Sequence, residues 1–135
     1  MDARRAAVAV LQRVLGEGRS LDRSLAQQFE QVPADQRALT QQLVYGVLRH
    51  YSRLDAVAAA LLQKPLRARD DDVRFLLLLG LYQCLEMRTP AYAAVSETVS
   101  IARKLGKKWA VGLLNATLRR FLRERESLLD RKSVV

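Results

Sequence analysis

The chain has 135 residues, half of them hydrophobic, and a formal net charge of +9. That is enough for one domain with a real core; the composition excludes a disordered chain, and the longest apolar stretch, residues 75–82, is far short of the roughly 20 residues a membrane span needs. The N-terminus lacks a signal-peptide layout and the lone Cys84 has no internal disulfide partner, so the expected setting is cytoplasmic and no membrane is expected as a partner.

Period-2 alternation never persists, and Ala, Leu, Arg and Gln dominate, so the predicted class is all-α with about seven helices. The first helix is expected over residues 2–15, capped by Asp2, with Val8, Val10, Leu11, Val14 and Leu15 on one face. Gly16 and Gly18 end it. A second helix, capped by Ser20, runs to about Gln31, where Pro33 breaks it. The third spans residues 34–51 and carries Leu39, Leu43, Val44, Val47 and Leu48; a short fourth carries Leu54, Val57, Ala58, Leu61 and Leu62 and stops before Pro65.

The fifth helix, about residues 70–87, is apolar around most of its circumference between Phe75 and Leu85. A helix of that kind is buried on several sides, which places it at the centre. Gly80 inside it costs about 1 kcal/mol against Ala, a cost that goes with close packing by a neighbouring helix. Asp70, Asp71 and Asp72 read as a negative helix start that suits the macrodipole; a metal site is the sharper alternative, but three adjacent carboxylates cannot all converge on one ion from a helix. Cys84 reads as a small buried hydrophobe. The sixth helix starts near Pro90, which suits a first turn, and runs to Leu105. Gly106 separates it from the seventh, residues 107–128, and the tail after about 130 is expected to fray. Residues 1–135 read as a single domain, with helices one to four in one bundle and five to seven in another.

The charge is concentrated. Residues 103–132 hold ten Lys and Arg against three acidic residues, a candidate footprint for a polyanion; a solvated face is the plainer reading. On the seventh helix the apolar stripe collects Ala110, Val111, Leu114, Leu118, Phe121 and Leu122. The other side collects Lys108, Trp109, Arg119, Arg120 and Arg123, with Lys107 beside Lys108 at the start. Cations for phosphates and an indole for an unpaired base are what single-stranded RNA requires. Trp109 also reads as a cap on a helix junction. Asn115, among leucines, is expected to satisfy backbone groups at a helix crossing. His50 is alone and reads as a surface or packing residue.

Four ordered blocks carry a family resemblance. They are Leu43-Val44-Tyr45-Gly46-Val47-Leu48-Arg49 with Lys64-Pro65-Leu66; Leu79-Gly80-Leu81-Tyr82-Gln83; Pro90 through Val99; and Gly112 through Arg120. Over roughly residues 3–126 the chain resembles the NusB family, and it looks most like the NusB-type domain that opens bacterial 16S rRNA cytosine-C5 methyltransferases. The resemblance implies a fold of two packed helical bundles. It also implies that an arginine-rich first helix joins the last helix in binding single-stranded RNA, here through Arg4, Arg5 and Arg13.

A methyltransferase of that type needs a glycine-rich loop for S-adenosylmethionine and a cysteine nucleophile in a Pro-Cys context. Neither is present: Cys84 follows Gln83, and the six glycines form no such loop. The expectation is therefore a non-catalytic module without a cofactor or metal. Its partners would be 16S rRNA or its precursor and a methyltransferase catalytic domain in the same chain. One alternative is a free-standing transcription antitermination factor acting with a small ribosomal protein on leader RNA. Another is a protein-interaction module without RNA affinity.

Overall fold

The computed structural model describes residues 1–87 and 89–134, leaving aside the side chains at 126 and 129–134. Seven α-helices make up the fold, with no strand among the described residues: α1 (Ala3–Leu11), α2 (Leu21–Phe29), α3 (Arg37–Arg49), α4 (Tyr51–Leu61), α5 (Asp71–Glu86), α6 (Ala91–Lys104) and α7 (Ala110–Val134). Asp2 caps α1 by accepting from the Arg5 backbone N–H at 2.8 Å, and Ser20 caps α2 by accepting from that of Arg23 at 3.3 Å. Each satisfies one of the donors a helix start leaves orphaned. The end of α1 widens into a π-helical turn over Gln12–Gly16. The α3–α4 junction is the single residue His50, whose ring stacks at 6.2 Å on Tyr82.

Every residue from Phe75 to Cys84 is buried, so α5 is the axis of the molecule. It packs against α1, α3, α4, α6 and α7. On one side α1 packs on α2 and α3; on the other α7 packs on α6 and α4. The boundary between the bundles thus differs from the expected division after α4. The apolar stripe of α4, with Leu54, Val57, Ala58 and Leu61 buried, turns toward α7 and α5 because the one-residue junction at His50 sends the chain away from α3. Arg74 locks α4 to α5, donating to the Tyr51 hydroxyl at 2.8 Å and to Asp55 at 3.0 Å.

Gly80 faces the crossing of α5 with α6 and α7. A Cβ there would stand 2.9 Å from Thr98 Oγ1 and 3.1 Å from Leu118 Cδ1. The close packing expected from its position in an apolar helix is present. Gly106 has φ +75° and ends α6, with the Lys107 N–H bonded to the Ala102 carbonyl at 2.9 Å. This is the left-handed helix stop for which glycine is suited. α7 starts three residues later than expected and changes direction at Glu124, whose φ/ψ of −108°/16° is not helical. The backbone stays helical to Val134, past the expected fraying at about residue 130; the side chains of Arg131 and Lys132 lie outside the described ones.

Candidate nucleic-acid interface

The C-terminal end of α4 leaves backbone carbonyls without partners, as every helix end does. Arg120 of α7 reaches one of them: its Nη1 donates to the Leu61 carbonyl at 3.2 Å while its Nε donates to Glu124 at 2.6 Å. At the other end of the same face, the Gly106 turn swings Lys107 toward the start of α5. There its ammonium sits 2.9 Å from Asp70 Oδ1 and 3.7 Å from Asp72 Oδ1. The Asp70 hydrogen bond, opposed by some loss of hydration, holds the Lys107 ammonium above the ordinary lysine pKa. The acidic run is thus engaged by cations, Asp71 by Arg74 at 3.6 Å. Among the described residues no group of three His, Cys, Asp or Glu is placed to hold a metal.

Between these two ties the α4–α5 connection and the first half of α7 leave a cleft of about 1030 Å³. Its apolar lining includes Leu61, Leu66 and Leu113, and its basic lining Lys64, Arg67, Arg69, Lys107 and Arg120, against the single carboxylate of Asp70. Trp109 lines it too, and the residue is 54% exposed. It sits just before α7, so its indole is held by the helix start without being buried in the junction.

The residues anticipated for RNA take different positions. Lys108, Arg119 and Arg123 are exposed on α7 and the loop before it. Arg119 Nε donates to Asn115 Oδ1 at 3.1 Å on the same helix. Asn115 therefore braces a surface arginine one turn on and is not the helix-crossing residue its leucine neighbours suggested. Arg120 and Lys107 line the cleft but are committed to the two ties. Arg4 is turned inward, donating to the buried Gln83 amide at 3.0 Å and pairing with Glu97 at 2.7 Å. Arg13 lies against Gln27 on α2 at 3.3 Å and against the buried Gln28 amide. Arg5 is half-buried on α1. The start of α1 is tied to α6, through Arg4–Glu97 and the Lys104–Asp2 pair at 3.3 Å. α1 and α7 each pack on α5.

Lys64, Arg67 and Arg69 had no part in the expected site. They lie outside the charge-dense C-terminal segment, in a connection without periodicity, and only the fold sets them opposite Trp109. The signal in the sequence was the local density itself: four cations, counting Arg74, in eleven residues from Lys64. Cys84 is buried, and desolvation raises its thiol pKa against the pull of Arg125; such a thiol is a poor nucleophile.

Residues 1–123 match the NusB family. The chain belongs to this family. It is 53% identical over 129 residues to the ribosomal RNA small subunit methyltransferase B of Pseudomonas putida. It is 42% identical over 128 residues to the protein of the same name from Vibrio cholerae. These matches take in 96% and 95% of this chain and 30% of each relative. The NusB-family chain thus spans about a third of the length of these curated relatives, and the larger part of each lies outside the match. No helix among the described residues is long and apolar enough to cross a membrane.

Proposed function

We propose that this chain is the RNA-engaging, non-catalytic module of a small-subunit rRNA cytosine-C5 methyltransferase. It holds 16S rRNA or its precursor while a catalytic domain elsewhere in the same protein carries out methyl transfer. The observation that carries this reading is the exposed face of α7 and the loop before it. Lys108, Arg119 and Arg123 stand exposed along it and Trp109, just before the helix, is half-exposed, in a chain whose relatives bear the name of rRNA methyltransferases.

The mechanism is binding and orientation. Cations on a helix face replace condensed counterions along the phosphate backbone, and their release drives association. Contacts to phosphate fix position without reading sequence, which suits a module whose task is to present a large folded RNA to a separate active site.

The test is binding of labelled small-subunit rRNA fragments across a salt series. Binding that falls linearly in log–log form with salt, at a slope near −0.7 for each phosphate contact on single strands, supports the reading. Absence of salt-dependent binding at low ionic strength removes it and favours a module that docks on protein.

A further inference from the structure

We infer that the cleft between the α4–α5 connection and α7 is a receptor for an unpaired RNA nucleotide, whose base stacks on Trp109 and whose phosphates meet Lys64, Arg67 and Arg69. This rests on the RNA reading above and assigns it a defined pocket. Three observations carry it. The cleft, at about 1030 Å³, is at the upper end of the roughly 300–1,000 Å³ that small-molecule sites occupy, so a nucleotide fits within it.

Its electrostatics are one-sided. Asp70, the lining carboxylate, is already neutralised by Lys107 at 2.9 Å. Lys64, Arg67 and Arg69 are exposed at the lip, with Arg69 no nearer than 3.9 Å to Asp70. An anionic occupant therefore gains charge pairing here without displacing the Lys107 tie, and competes only with the long Arg69–Asp70 pair at 3.9 Å.

The third observation is the indole. An aromatic side chain that shares its cleft with cations and with the aliphatic Leu66 and Leu113 suits a flat base joined to a phosphate, and every base offers a π-face. Bases inside a duplex are already stacked and are not available to it. The occupant is thus single-stranded, at a loop, bulge or end, and the cleft leaves base identity open because stacking is sequence-tolerant.

Trp109 is the sole tryptophan, so the 135-residue chain reports on its own cleft. The probes are a single-stranded oligouridine of about 12 nucleotides, within the roughly 4–16 that compact single-strand sites cover, and an RNA duplex of equal length. At occupancy matched by anisotropy of a labelled strand, the oligouridine should quench indole emission and the duplex should not. Trp109→Ala should weaken oligouridine binding between about 5- and 150-fold with an unchanged salt slope, and Trp109→Phe should recover most of it. Lys64→Gln with Arg69→Gln should flatten the slope by about 1.4 units. Salt-dependent oligouridine binding without quenching, and undiminished in Trp109→Ala, overturns the cleft assignment while leaving the RNA reading intact. Quenching by polyglutamate at lower concentration than by oligouridine makes the occupant an acidic polypeptide and overturns it as well. Failure of both RNAs to bind at low salt removes the cleft assignment and the RNA reading together.

Discussion

The hydroxyl end of the Tyr82 ring lies directly over the Cα of Gly46, in the space that a Cβ would fill. This contact seats α3 on α5, and it joins two of the sequence blocks that carry the family resemblance. Tyr82 is buried and stacked on His50, so it cannot yield cheaply. Gly46→Ala should destabilise the chain by about 1–3 kcal/mol despite its better helix propensity, read as a lower urea midpoint. Tyr82→Leu should make the same change at Gly46 much less costly, so that the double mutant departs from additivity.

Gly80 makes a comparable but looser approach. The atoms that a Cβ would press, Thr98 Oγ1 and the Leu118 methyls, belong to buried side chains. Gly80→Ala sets a propensity gain of about 1 kcal/mol against strain of similar size and should change stability by less than Gly46→Ala does. Gly80→Leu cannot be accommodated and should cost about 3 kcal/mol or more. Urea unfolding of both variants checks the order.

Arg4 should behave as a brace within the fold. It joins α1 to Gln83 of α5 and Glu97 of α6, and Glu97 Oε2 is screened from solvent although the residue is partly exposed. Removing the guanidinium leaves that oxygen without its cation. Arg4→Met should destabilise by about 1–2 kcal/mol, discounted from a fully buried pair for the exposure of Glu97, and Glu97→Gln should restore part of the loss. The slope of RNA affinity against salt should stay the same in Arg4→Met.

Lys107 gives the fold an alkaline limit. Its pKa in the folded chain is raised, chiefly by the Asp70 hydrogen bond. The stabilisation is therefore complete below the unfolded lysine value of about 10.4 and is lost as pH climbs through the higher folded value. The melting temperature of the parent should exceed that of Lys107→Met near neutrality. The gap should narrow only as pH rises past the ordinary lysine value, where the parent begins to lose the ammonium.

On the outer face of α7, Arg119 and Arg123 are exposed. Arg119→Gln with Arg123→Gln should flatten the salt slope for single-stranded rRNA fragments by about 1.4 units and weaken all sequences alike. Thermal stability should change little, because exposed charges contribute little to it. An unchanged slope assigns these arginines to a solvated face.

The helices were legible because their signals are local. Asp2 and Ser20 cap where a short polar side chain precedes an apolar repeat, and the all-round apolar run of α5 required burial on every side. Gly80 was legible for the same reason, as a small residue where a large one would ordinarily pack. The cleft was not. Lys107 meets Asp70 across 37 residues, and Arg120 reaches Leu61 across 59. No periodicity encodes such meetings, and both cations looked free for a ligand. Arg4 misled similarly, since its partner Gln83 lies 79 residues away.

The two ties that frame the cleft have a consequence for synthesis. Its walls come from the α4–α5 connection and from α7, and both ties need residues beyond α6. Chains emerge from the ribosome N-terminus first. A nascent chain that has released only α1 to α5 owns half of a binding surface and none of the clamp that shapes it. The cleft is thus assembled only on completion of the domain, and the nucleotide binding inferred for it would be withheld from a half-made chain.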